Sequence, residues 1–235
     1  MTESRSIREY TEQEISPAVK EQILLAGCAA LTGENQQPYT ILDITDHSIQ
    51  NQLSELCDHQ PFIADAKMVL IFCADCQKWY EGFVSAGCEP RKPGVGDLLL
   101  AVSDANIAAQ NTVVAAQSLG IGSCYIGDIM ENCEIHRKLL NLPEYVFPAA
   151  MLVFGYPTRQ QIERKKPERA AMQHIVHENG YRHMNEEELK EMFGPKSGVQ
   201  GYREWMKAFC ERKFNSDFSV EMTRSVEEYL KIFQE

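Results

Sequence analysis

From Asp97 to Leu119 the chain is apolar on nearly every side of a helix. Alanines at 101, 105, 108, 109, 115 and 116 are interleaved with Leu98, Leu99, Leu100, Val102, Ile107, Val113 and Val114. Alanine and leucine are strong helix formers. A helix without a polar face is buried, and small side chains let a neighbouring helix come close. This stretch is therefore expected to be the long central helix of the core, and the place where a second copy of the chain would pack.

The remaining sequence has to wrap that helix. At 235 residues there is enough chain for one sizeable core, and a single domain over 1–235 is expected. The formal net charge is -11. An acidic chain is a poor partner for nucleic acid or an anionic membrane, since both call for a basic surface. Residues 1–14 are polar and charged, without the apolar centre of a secretory signal. Eight cysteines in such a chain point to reduced thiols and a cytoplasmic location.

Other segments show clear local signals. Ser16-Pro17 suits a helix start, with Val19, Ile23, Leu24 and Gly27 along one face. Residues 31–38 read as a polar loop, and 39–45 as a strand rich in β-branched and aromatic types. Asp46 caps an expected helix with Ile49, Leu53 and Leu56 inward. Residues 67–74 and 146–155 read as buried strands, 123–127 as a short strand and 132–140 as a helix. Residues 77–96, aromatic and rich in glycine and proline, read as a long loop, as does basic 159–169. Helices are expected near 186–192, 199–213 and 219–234, anchored by Trp205, Phe209, Tyr229 and Phe233. Together these give an α+β or α/β fold, a central sheet sandwiched by helices.

Few residue patterns suggest chemistry on their own. Gly120-Ile-Gly122 follows a helix and precedes a strand, the reverse of a dinucleotide-binding fingerprint. It reads as a helix end and turn. Gly127, at a strand end, would let backbone approach a flat ligand. Cys73 and Cys76 have C-x-x-C spacing without a second pair, and read as one buried and one surface thiol. No histidine has an acidic partner at motif spacing, so no general acid, general base or metal ligand is assigned. Four cations, Arg5, Arg8, Lys166 and Arg169, stand out against the acidic background. If residues 5–8 were helical, Arg5 and Arg8 would share a face. Arginine holds phosphate bidentately at any relevant pH.

Five segments, in order, resemble the nitroreductase family: Arg5-Ser6-Ile7-Arg8-Glu9-Tyr10, Asn35-Gln36-Gln37-Pro38-Tyr39, residues 120–127, Lys166-Pro167-Glu168-Arg169, and Val176-His177-Glu178-Asn179. The resemblance covers essentially the whole chain and is nearest to the NADPH nitroreductase and flavin reductase branch. It implies an α+β fold with a central mixed sheet flanked by helices, and an intertwined homodimer with FMN bound at the interface. Residues 180–235 would form a helical extension that wraps the partner subunit.

The resemblance implies a role for each matching position. Arg5, Ser6 and Arg8 would hold the FMN phosphate and ring edge. Thr32, Gly33 and Asn35 would reach the flavin of the partner subunit. Gln60, Ile126 and Gly127 would meet the isoalloxazine ring, and Lys166 and Arg169 the phosphate, with Lys165 a competitor for Lys166. Arg203 is a candidate for the 2′-phosphate of NADPH. Hydride would pass from NADPH or NADH through FMN to a small acceptor (a nitroaromatic, a quinone or a flavin) by a ping-pong route. The flavin carries the chemistry, so no side chain is assigned as catalytic. The same fold also hosts dehalogenases and dehydrogenases, and a flavin-binding protein with little turnover is a further alternative.

Overall fold

The computed structural model describes residues 5–234. They fall into two compact units. One holds the described residues up to Arg164 together with those from Glu221, and the other holds Lys165–Val220. Ser4, beside the Arg5 segment, lies outside the described residues.

The first unit is built on a four-stranded sheet of β1 (Tyr39–Ile44), β2 (Met68–Asp75), β3 (Gly122–Ile126) and β4 (Val146–Gly155). The spatial order is β1-β2-β4-β3, and every pairing within it is antiparallel. The expected mixed sheet is thus antiparallel. Its parallel component is an isolated bridge between Ser6 and Ser123. All residues of β2 and β4 are buried. A strand buried on both faces loses the apolar–polar alternation of a one-sided sheet.

Alternate side chains of β2 enter different cores. Met68, Leu70, Phe72 and Ala74 face one apolar cluster, with α1 (Pro17–Cys28) and α4 (Val95–Ser118). Val69, Ile71 and Cys73 face another, with Leu53 of α2 (His47–Leu56) and Ile129. Ser16 and Asp46 cap α1 and α2 as expected: each side chain accepts a backbone N–H of the first turn.

Helix α3 (Gln77–Ser85) replaces the expected loop. Two pairs spaced four apart support it. Gln77 Nε2 donates to Glu81 at 2.8 Å, and the Trp79 and Phe83 rings lie 5.6 Å apart. Gly82 and the unassisted cap at Cys76 hide this helix from a periodicity reading. Residues 86–94 then lead into α4 without regular structure.

Only one side of α4 is buried within the chain. Leu98, Ala101, Ala105, Ala108, Ala109, Thr112 and Ala116 are covered. Leu99 and Leu100 are 60% and 70% exposed, and Ile107 and Val114 are also open. Within one chain a helix laid on a sheet presents only one stripe to it, and the remaining side is the one expected to meet a second copy. By length and composition α4 could cross a membrane, but a third of its most apolar stretch is buried here. The helix ends at Gly120 (φ 75°). Gly120 N–H bonds Gln117 O at 3.1 Å and Ile121 N–H bonds Ala116 O at 2.9 Å, which closes the end as a Schellman motif.

Helix α5 (Cys133–Leu139) follows β3, and the short α6 (Arg159–Glu163) occupies part of the expected basic loop. The second unit contains α7 (Glu186–Ser197), opened by an Asn185–Glu188 capping box, and α8 (Tyr202–Lys213). Trp205 and Phe209 stack at 5.0 Å on α8 but stay half-exposed. The last helix, α9 (Asp217–Ile232), contributes to the first unit from Glu221 onward. There Tyr229 is fully buried, edge-on to Phe147 at 4.9 Å, and Phe233 packs on Tyr145 at 5.7 Å.

Candidate functional site

Residues 5–11 are extended rather than helical. Ile7 N–H bonds Ser123 O at 2.9 Å, and Thr11 N–H bonds Tyr156 O at 2.8 Å. Two glycines make room for this segment. A Cβ on Gly122 would stand 2.7 Å from Ile7 Cβ, and one on Gly155 would stand 2.6 Å from Tyr10 Cγ. Gly122 is thus a packing glycine, which the turn reading had missed. The burial of Tyr10 in this contact holds its phenol well above the ordinary range.

In an extended segment, residues three apart point to opposite sides. Arg5 and Arg8 therefore do not share a face, contrary to expectation. Arg5 lines a cavity of about 320 Å³ with Ile7, Gln117 and Ile162. Its Nη1 donates to Ile162 O at 2.9 Å and to Arg164 O. Arg8 is exposed and lies over the Phe62 ring, 5.7 Å from its centroid. Ser6 is exposed beside it.

Phe62 belongs to the turn that also carries Gln60. Gln60 N–H bonds Ser54 O at 3.0 Å, and Ser54 Oγ donates to Gln60 O at 2.8 Å. Its amide nitrogen donates to Cys57 O at 2.7 Å and to Asp128 Oδ2 at 3.0 Å. Asp128 follows Gly127, so this bond joins the Gln60 turn to the end of β3. Ile126 is buried and anchors that strand end. Gly127 is open: a Cβ there would meet no atom within 4 Å. Ser6, Arg8, Gln60, Ile126 and Gly127 thus belong to one continuous corner of the first unit.

Thr32, Gly33 and Asn35 belong to a different part of that unit. Residues 33–35 form a single 3-10 turn, with Glu34 and Asn35 at positive φ. Thr32 Oγ1 donates to Asp104 Oδ2 of α4 at 2.5 Å and accepts from Gln37 N–H at 2.9 Å. Trp79 Nε1 donates to Gln36 O at 2.8 Å. The loop is thereby tied to α4 and α3.

Lys166 and Arg169 lie in the second unit, Lys166 half-buried and Arg169 exposed. Lys165 stands 3.8 Å from Glu168, and Arg203 stands 3.8 Å from Glu186. Cys73 and Cys76 are both buried, which corrects the surface reading of Cys76. Burial pushes each thiol up to about 12, so neither is poised as a thiolate at neutral pH. All eight cysteines are unpaired. Among the described residues no group of three or more histidine, cysteine or carboxylate side chains stands together as a metal site.

The first unit thus defines a class: an antiparallel sheet with its N-terminal segment laid along β3 and β4, and a backbone-rich corner open at Gly127. The chain belongs to the nitroreductase family, whose model matches residues 1–156. It is 32% identical over 232 residues to an FMN reductase (NAD(P)H) of Bacillus subtilis, covering 97% of this chain and 88% of the relative. It is 34% identical over 186 residues to an oxygen-insensitive NADPH nitroreductase of Salmonella typhimurium, covering 79% and 74%. Its fold matches the solved structure of B. megaterium NfrA2 with a TM-score of 0.82 at 28% identity, covering 97% and 94%.

Proposed function

We propose that the protein is an FMN-dependent oxidoreductase that takes hydride from NADPH or NADH and delivers it to a small acceptor: a nitroaromatic, a quinone or a flavin. The observation that carries this reading is the corner formed by Gln60, Asp128 and Gly127, in a chain of this family. There an amide is held by both its protons beside an uncovered glycine. The residues fit FMN: a flat ring needs open backbone and an oriented amide, and its phosphate needs cations. Ser6 and Arg8 would take the near side of the cofactor. Arg5 is proposed for the phosphate from the first unit; the same proposal for Lys166 and Arg169 rests on the family resemblance. When bound, FMN supplies the hydride-accepting and hydride-donating centre.

The protein's own contribution is binding and orientation. Gln60 presents its amide oxygen, and Gly127 leaves the approach to the ring clear. The apolar side of α4, with Leu99, Leu100, Ile107 and Val114 uncovered, supports a homodimer closed on that helix. Thr32 is fixed to the same helix through Asp104. A partner docked there would bring Thr32, Gly33 and Asn35 to the other subunit's flavin. The helices after residue 180 would wrap that partner. Its free cysteines agree with a reducing compartment, and a cytoplasmic location is proposed. Two substrates using one flavin face in turn give ping-pong kinetics.

The test is spectroscopic. The purified chain should be yellow, and its flavin absorbance should bleach anaerobically with NADPH or NADH and return when a quinone is added. A colourless protein that takes up no added FMN refutes the cofactor. A yellow protein bleached by neither nucleotide refutes the oxidoreductase and leaves a flavin-binding protein. Sedimentation that finds only monomer refutes the shared site.

A further inference from the structure

Gln60 uses both amide hydrogens inside the protein, one on Cys57 O and one on Asp128 Oδ2. Its amide oxygen is the end left to accept from a ligand. The oxidised isoalloxazine edge offers one ring N–H, so the direction of this amide matters. That direction depends on Asp128 remaining an acceptor in place.

Behind Asp128 lies a second carboxyl, Glu131. It is 5% exposed, and its Oε1 meets no donor. Glu131 N–H bonds Asp128 O at 3.0 Å across one 3-10 turn, and residues three apart in such a turn stand on one face, which sets the two carboxyls side by side. Two carboxylates in contact cannot both be charged at low cost, so one keeps a proton. Glu131 is the more deeply buried of the two, and burial favours its neutral form.

The surrounding elements favour the same assignment. Asp58, in the turn after α2, and Glu221 of α9 add negative charge. Arg224 of α9 is engaged by Glu221 at 2.8 Å and by Glu134 of α5 at 2.9 Å. His136 of α5 spends Nδ1 on Glu131 O at 2.7 Å, and burial lowers its pKa, which favours the neutral ring. Burial and these neighbours push the Glu131 carboxyl up to about 8.

We propose that Glu131 is a positioning residue: as a neutral acid it donates to Asp128, and the pair holds Gln60 with its carbonyl turned toward the flavin. The role rests on the flavin reading of Gln60. Above the Glu131 titration the donor is lost and two negative charges face each other. Asp128 then withdraws, and FMN binding weakens. Glu131→Gln keeps a donor toward Asp128 at every pH. Asp128→Ala removes the anchor at every pH.

FMN dissociation constants, measured by flavin fluorescence on either side of pH 8, test this directly. In the unmodified protein affinity should fall by up to about tenfold per pH unit above the titration. Glu131→Gln should match the low-pH affinity and lack that step; titrations of FMN itself are common to both proteins. Asp128→Ala should bind about tenfold more weakly throughout. An unmodified protein with the same pH profile as Glu131→Gln overturns the proposal. Isotope-edited infrared spectra of the flavin-free protein give an independent reading. A protonated-carboxyl band assigned to Glu131 should vanish near pH 8, and its absence below that pH also overturns the proposal, even if Glu131→Gln fails to fold. A chain that binds no FMN at any pH overturns the cofactor reading, and with it the role given to Gln60.

Discussion

Arg5 and Arg164 are joined through backbone rather than through charge. The Arg5 guanidinium donates to the carbonyl of Arg164, and Arg164 Nη2 donates back to the carbonyl of Ser6 at 2.8 Å. The pair staples the N-terminal segment to the end of α6. Arg164→Ala should therefore cost about 1 kcal/mol of stability, measured by urea unfolding, with a similar loss of FMN affinity. Arg5→Ala should lose more FMN affinity than its own stability loss accounts for. Equal losses in the two assays would make Arg5 a staple only.

The phosphate assignment makes a separate prediction. Charge-assisted bonds contribute roughly 1.5–3 kcal/mol each. Arg8→Ala combined with Arg169→Ala should weaken FMN binding by at least about tenfold. Gel filtration should strip the flavin from this variant, more completely as salt is raised. Unchanged occupancy in the double variant would remove both residues from the site.

Three glycines should respond differently to one added methyl group. At Gly122 and Gly155 the new carbon collides with Ile7 and Tyr10, and overpacking costs roughly 1–3 kcal/mol. Thermal melts should show both alanine variants destabilised. Gly127→Ala meets no protein atom, so the fold should hold while FMN affinity falls. A Gly127→Ala protein with full affinity would show that this surface does not face the ring.

Asp97 supplies an acid-sensitive contact. Its carboxylate accepts from Gly94 N–H at 2.7 Å and from Arg91 through two bonds, which hold its pKa below the ordinary value. A depressed carboxylate stabilises the fold above its unfolded pKa, and this is lost as pH falls through the folded value. Asp97→Ala should cost about 1 kcal/mol at neutral pH through the lost cap, and the difference from the unmodified protein should shrink in acid. A difference that stays constant with pH would show that the ion pair contributes nothing.

The Cys73 and Cys76 thiols, buried and pushed up to about 12, should be dispensable for turnover. Cys73→Ala with Cys76→Ala should retain FMN and NADPH oxidation per folded molecule, at lower melting temperature. Loss of turnover with flavin still bound would reveal a redox role.

Elements set by local pattern were the most readable from sequence. The β4 strand falls on 146–155 as expected, and α4 lies within two residues of its expected start. Ser16 and Asp46 cap where the sequence places them. What escaped depends on distant partners. Residues 5–8 are extended because Ser123 and Tyr156 lie alongside, which no local signal announces. Gln60 and Gly127 were named through resemblance, and their place beside the flavin is a proposal. The Asp128–Glu131 pair behind them was not, because its meaning comes from burial and from Asp58 and Glu221 converging from other elements. Helix α3 was hidden by Gly82 and by aromatic residues that suit a loop equally well.

The reach of the N-terminal segment also governs when the protein becomes complete. Arg5 bonds the backbone 159 residues later, and Ile7 bonds Ser123. On a ribosome, the segment from Arg5 to Thr11 must wait for β3, β4 and α6 to be made before it can dock. Contacts of such long sequence separation form late. The cation-bearing edge of the site is therefore synthesised well before the strands and helix it docks on, and is among the last parts to settle into place.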